Sequence, residues 1–317
     1  MATEITRPGK NSLIIETPVM PAAGTVGFGD EYKDLVKFEK LGALVTNPVT
    51  YQPWQPATGT RVVPLAAGIL VHTGLPNPGL SKVLDQYRTL WANLPVPVIV
   101  HLVGTTVDQV RRAMERLDSE DSVDAVELGL NDDCSWEEAE QFVKAAAHHS
   151  DKPVLVRLPL NDAYTLAHAA GDAGAGAVVI AAPPRGTARD PNTGRLVSGR
   201  VYGPLVKPMT LRIVGQLANR LDVPVIGAGG IHNQQDARDY LEAGARAVQV
   251  DTVTWVEPKM LEWIARDLGG LVLTRQAGAL GDEWNPGMGI TEQKAREEAK
   301  RKQESSQKRT PRTGEKA

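Results

Sequence analysis

The chain lacks most of the features that would classify it at a glance. Cys134 is the single cysteine among 317 residues, which excludes an internal disulfide and any cysteine-held zinc or iron–sulfur centre. The six histidines are dispersed, and none falls with cysteine or carboxylates at a zinc-ligand spacing. No apolar run approaches the roughly 20 residues that cross a bilayer. The opening MATEITRPGKNSLIIETPVM is too polar for a secretory signal. A net charge of −3 does not suit a nucleic-acid binder. These absences predict a soluble, cytoplasmic protein with no metal and with neither nucleic-acid nor membrane partners.

What is present is a recurring short unit. Val223–Thr252 reads as an apolar β-branched run, a helical segment with Ala237, Tyr240, Leu241 and Ala243 on one face, then a second apolar run. Strand, helix, strand implies two parallel strands. Six further runs bounded by Gly, Pro, Asn or Asp precede it, at Thr17–Ala22, Ala43–Thr46, Val98–Val103, Val123–Leu130, Val154–Leu158 and Ala177–Ala182. Amphipathic stretches such as VDQVRRAMERL and SWEEAEQFVKAAAHH separate most of them. Eight strands alternating with helices match the roughly 250-residue (β/α)8 TIM barrel. The competing open doubly wound sheet places a glycine fingerprint and a helix after its first strand; here AAGTVGFG follows with no long helix.

Two connections are long: Asn47 to Pro97, and the Gly-, Pro- and Arg-rich Pro183 to Pro204. Both are expected to be binding loops on the active face. The barrel is expected over residues 1–285 and a helical to disordered charged tail over 286–317, because TEQKAREEAKRKQESSQKRTPRTGEKA lacks apolar residues.

Chemistry is sought at the strand ends. Gly229-Gly230 after the seventh strand let backbone N–H groups approach an anion, the usual phosphate position of this fold. Thr252 adds a hydroxyl or amide. Cys134, near a helix N-terminus, is a possible base, although Asp132 and Asp133 oppose its ionisation and Ser135 with Glu137 and Glu138 reads as a helix cap. His72 and His101 are placed to donate to a substrate carbonyl or to serve as ordinary polar residues. Arg185, Arg189, Arg195 and Arg200 suit an anionic small molecule. The strand ends offer Glu127, Asp132 and Asp251 but no lysine, which argues against Schiff-base chemistry.

The blocks PVMPAAG (Pro18–Gly24), GLPNPG (Gly74–Gly79), GPLVKPMTLR (Gly203–Arg212) and IGAGGI (Ile226–Ile231), in that order, resemble the dihydroorotate dehydrogenase family of FMN-dependent barrels, over residues 12–280. The resemblance implies hydride transfer at flavin N5, a place in pyrimidine biosynthesis, a homodimer, and room for an electron-transfer subunit. It implies FMN contacts from Ala22, Ala23, Gly24, Thr46, Arg157, Gly199, Arg200, Gly229, Gly230, Asp251 and Thr252, and substrate contacts from Asn47, His72, Asn77 and Arg185. Cys134, Asp132 and Arg157 are the catalytic candidates. Arg157 replaces the family's flavin-facing lysine, and Asp132 aligns with its loop cysteine base.

The chain departs from the pattern where the family grips its pyrimidine. Thr46-Asn47 replaces Thr-Lys, and His72 replaces the asparagine ahead of GLPN. Gly129 replaces the asparagine ending strand 4, and Ala181 or Ala182 the one after strand 6. Each lost amide leaves a polar ligand edge unpaired, at about 1–3 kcal/mol, so a substrate other than orotate is expected. Asp251 replaces a glycine and repels a phosphate unless it points away; Arg200 is expected to compensate. The alternatives are a flavin-free lyase or isomerase on the same barrel, and a non-catalytic barrel subunit.

Overall fold

The computed structural model describes residues 2–9 and 11–274. The expected tail lies outside the described residues, as does the boundary drawn for it. The eight barrel strands are β1 (Val19–Pro21), β2 (Leu44–Val45), β3 (Val98–Val103), β4 (Ala125–Gly129), β5 (Val154–Leu158), β6 (Ala177–Ile180), β7 (Val225–Ala228) and β8 (Ala247–Val250). They form one sheet in the order β1-β8-β7-β6-β5-β4-β3-β2, with every pair parallel. The Gly42 N–H reaches Val19 O at 2.8 Å and brings β1 and β2 together. A β-carbon at Gly42 would stand 2.0 Å from Thr17 O, so this seam requires glycine. The protein is a (β/α)8 barrel.

Nearly every strand residue is buried because the sheet is covered on both faces. Inside the cylinder, Met20, Val45, Ile99, Leu155, Val179 and Ile226 pack together, each contributing about 1.5–3 kcal/mol. An antiparallel hairpin, Thr3–Glu4 with Ile14–Ile15, adds Ile5, Leu13 and Ile15 to this cluster and plugs the end opposite the strand C-termini. Outside run α1 (Leu80–Trp91), α2 (Val107–Asp118), α3 (Trp136–Ala147), α4 (Ala163–Asp172), α5 (Lys207–Leu217), α6 (Gln234–Glu242), α7 (Val253–Val256) and α8 (Met260–Thr274). Between β1 and β2 only the 3-10 turn Phe38–Lys40 occurs. Ser135 caps α3 in a full capping box with Glu138, matching the sequence expectation.

The two long connections differ from the expected loops. Val62–Leu65 and Gly68–Val71 come from the first, Arg185–Arg189 and Leu196–Tyr202 from the second. Together they make a four-stranded antiparallel sheet, joined where Ile69–Val71 pairs with Arg200–Tyr202. Its Gly- and Arg-rich strands lack apolar alternation, so periodicity does not reveal them. The Asp190–Gly194 turn builds the second hairpin: Asp190 accepts from Asn192 N at 2.9 Å, Thr193 Oγ1 at 2.7 Å and Thr60 Oγ1 at 2.7 Å.

Candidate active site

Side chains alternate across each strand, so positions two apart point the same way. Ile99, Ala125, Leu155 and Ala247 face the barrel interior; two residues on, toward the carboxyl rim, stand His101, Glu127, Arg157 and Gln249. All are buried, and they form one polar ring. His101 Nδ1 lies 2.8 Å from Glu127 Oε1. Arg157 Nη1 donates to the same oxygen at 3.3 Å and to Gln249 Oε1, while its Nη2 reaches Ala181 O at 3.3 Å. Gln249 Nε2 donates to Glu127 Oε2. Burial pushes the Glu127 acid up, but the His101 hydrogen bond, the Arg157 charge and Gln249 overcome it and hold it at about 2. Arg157, the replacement for the family's flavin-facing lysine, is part of this ring. The sequence reading missed Gln249, whose signal is a lone polar residue inside the buried run AVQV.

The glycine pair after β7 has the left-handed backbone expected of a tight turn, with φ of +110° at Gly229 and +66° at Gly230. A β-carbon on Gly230 would stand 2.5 Å from Lys207 N. Gly229 is held from behind, where Tyr240 OH donates to its carbonyl at 2.7 Å. Among the described residues neither glycine N–H has a protein acceptor. Thr252 differs: its N–H donates to Asp251 Oδ1 at 2.6 Å, and its hydroxyl lies 3.3 Å from His232 Nε2. Asp251 therefore does not point away from the amide an anion would use. Burial raises this acid from its ordinary value, while the Thr252 N–H and His232 pull the other way.

On the β4–α3 loop, Asp132 accepts from Arg185 Nε at 2.6 Å and from Arg200 Nη1 at 2.6 Å. Arg200 Nη1 also reaches Pro183 O at 2.8 Å. Asp132 thus ties the covering hairpin to the rim, and this nitrogen of Arg200 is spent on Asp132 rather than on the glycine turn. Cys134 is half-buried; burial, then the Glu138 charge, push its thiol up to about 11. At that value it is not a thiolate near neutrality.

The remaining expected contacts divide in two. Ala22, Ala23 and Gly24 form the turn after β1, where Ala22 N donates to Val250 O at 2.8 Å and Gly24 has φ +86°. Thr46 is fully buried after β2, its hydroxyl accepting from His101 N at 3.1 Å. The Asn47 Oδ1 atom is buried with no hydrogen-bond partner among the described residues. The other group lies in the covering sheet and the loop that follows it. Asn77 Oδ1 accepts from Thr50 N, Thr50 Oγ1 and Gly79 N at 3.2, 3.1 and 3.0 Å, so its oxygen shapes the GLPNPG loop. His72 N bonds Arg61 O at 2.7 Å beside the Gly68–Val71 strand. Gly199 lies in the hairpin, where a β-carbon would meet Val71 O at 2.5 Å.

A polar ring and an open glycine turn stand together at the carboxyl rim, the face that carries the active site in (β/α)8-barrel enzymes. The sequence model for the family described as Dihydroorotate dehydrogenase matches residues 11–272. The chain is 33% identical over 272 residues to the dihydroorotate dehydrogenase B (NAD(+)) catalytic subunit of Citrifermentans bemidjiense, covering 80% of this chain and 88% of that one. It is 34% identical over 272 residues to the same subunit of Geobacter sulfurreducens, covering 81% and 89%. It is 30% identical over 295 residues to that of Geobacillus kaustophilus, covering 87% and 94%. The chain belongs to the dihydroorotate dehydrogenase family. It is a flavin-dependent oxidoreductase of that type, acting on a CH–CH donor. No helix among the described residues is long and apolar enough to cross a membrane.

Proposed function

We propose that the flavin is FMN and that the substrate is a small anionic molecule other than dihydroorotate. The polar ring carries this reading. It puts a buried cation, Arg157, under the rim where a flavin ring would lie, and leaves Asn47 Oδ1 and the Gly229 and Gly230 amides for polar ligand atoms. These residues fit the ring and two sides of a phosphate; the Thr252 amide carries Asp251. Bound FMN supplies a two-electron acceptor for hydride at N5. Arg157 offsets negative charge gathering over the ring.

Proton transfer is assigned to His101. Its Nδ1 is fixed on Glu127, which leaves Nε2 as the acceptor, in the manner of a base oriented by a carboxylate. Cys134 is held as a thiol and Asp132 is held by two arginines, so neither is as well placed. The missing side-chain amides at Gly129, Ala181 and Ala182 support a substrate with fewer polar edges than orotate. We extend to this chain an electron-transfer subunit, because the relatives are named catalytic subunits, together with a homodimeric, cytoplasmic setting.

A second reading is dihydroorotate itself, favoured by the names of the relatives. An anaerobic spectrum separates the two. Flavin bands that bleach with dithionite and stay oxidised with dihydroorotate support the first reading; rapid bleaching by dihydroorotate supports the second. A purified protein that takes up no flavin overturns both.

A further inference from the structure

The loops after the last two strands of such a barrel are its phosphate site, and here they hold an anion of the protein's own. Asp251 follows β8 and is only 3% exposed. Its Oδ1 takes the Thr252 N–H at 2.6 Å and lies 3.2 Å from the Thr252 hydroxyl. On the loop after the neighbouring β7 the Gly229 and Gly230 amides have no acceptor among the described residues. The two loops therefore offer open donors after one strand and a seated carboxylate after the next. A phosphate that enters meets that carboxylate at close range and in a buried setting, where like charges repel far more than in water.

Resting on the FMN reading above, we infer that Asp251 competes with the ligand's phosphate for the Thr252 amide. Loading FMN accordingly takes one proton from solvent onto the Asp251 carboxyl, whereas riboflavin, with the same ring and no phosphate, loads without it. Asp251 is thus a specificity-determining residue that discriminates by the charge of the flavin's tail. No covalent bond changes; one proton moves from solvent to an Asp251 oxygen.

The groups that face Asp251 leave few other sources for such a proton. His232, on the β7–α6 loop, and Arg157, on β5, both favour the ionised carboxylate. Tyr202 of the covering sheet and Tyr240 of α6 also sense it, and burial raises both phenols, so they stay neutral. Asp236 of α6 is engaged by Lys207 at 2.6 Å and by His232 N at 2.9 Å. His232 is the remaining ionisable group facing the carboxylate.

The test measures FMN and riboflavin binding to the full chain, stripped of flavin, by fluorescence quenching across a pH series. Wild type, Asp251→Asn, Asp251→Gly and His232→Gln are compared after thermal melts confirm folding. For the wild type, FMN binding weakens toward about tenfold per pH unit on the alkaline side, as uptake of one proton requires, and riboflavin binding does not. Both Asp251 variants lose this slope and bind FMN at least about tenfold tighter there, since a unit charge is removed beside a phosphate. The titration of the FMN phosphate is common to all four proteins and drops out of the comparison. Equal FMN affinity and equal slope in wild type and Asp251→Asn overturn the inference while the FMN reading stands. Loss of the slope in His232→Gln but not in the Asp251 variants also overturns it. Failure of every protein to bind either flavin overturns the FMN reading, and this inference with it.

Discussion

The Nε2 atom of His101 lies 2.8 Å from where a β-carbon on Gly129 would stand. The imidazole thus fills the space that any side chain at the end of β4 would need, and Glu127 keeps it there. Gly129→Ala is expected to destabilise the fold by about 1–3 kcal/mol through overpacking. Combining it with His101→Ala should cost less than the sum of the single changes. Denaturant unfolding of the three variants checks this; strict additivity would refute the steric coupling.

Glu127→Gln leaves Arg157 buried without its countercharge, at an expected cost of about 3–5 kcal/mol. The pH dependence has a definite sign. The Glu127 acid falls from its ordinary 4.5 to about 2 in the folded state, so its contribution is complete above 4.5 and is lost as pH drops toward about 2. The stability gap between wild type and variant should narrow across that window. A gap that widens on acidification would contradict the assignment.

If His101 carries the proton, His101→Gln should lower turnover by about 10²–10⁴-fold, and Cys134→Ser should leave it within about twofold. With a thiol raised to about 11, Cys134 should also alkylate slowly at neutral pH and faster as pH climbs toward that value. Fast labelling at neutrality, or inactivation by the serine change, would return Cys134 to consideration.

Gly230→Ala places a methyl 2.5 Å from the Lys207 backbone nitrogen, at a residue with φ of +66°. The neighbour is main chain and cannot swing aside. Stability is expected to fall by more than about 1 kcal/mol, with FMN binding weakened more than riboflavin binding. Wild-type melting and affinity for both flavins would show the turn to be more forgiving than its geometry suggests.

Asp132→Asn removes the charge that both Arg185 and Arg200 share. Arg185 is largely exposed, so the change should cost under about 1 kcal/mol. Limited proteolysis within residues 185–202 should nevertheless accelerate, because the hairpin loses its tie to the β4–α3 loop.

The barrel was legible because a strand buried on both faces must be apolar throughout, and such runs stand out between amphipathic helices. The Ser135 cap was legible for the same local reason. The covering sheet was not: Leu196–Tyr202 pairs with a segment over a hundred positions earlier, Arg185–Arg189 only adds to it from the edge, and nothing local records the long-range pairing. The positions of Arg157 and the glycine pair at strand ends follow directly from the strand count. Gln249 was missed, since its role depends on lining up with Glu127 across the cylinder. The state of Asp132 was equally hidden, because its arginine partners arrive from the hairpin. Asn77 carried a motif whose oxygen turns inward on its own loop.

The hairpin formed by Thr3–Glu4 and Ile14–Ile15 has a kinetic corollary. It seals a cylinder that side chains already pack solid, so the carboxyl rim is the doorway. A small molecule that gives up electrons and a small molecule that collects them must use that doorway in turn. The electron-transfer subunit proposed above would draw charge through the wall instead and escape the queue.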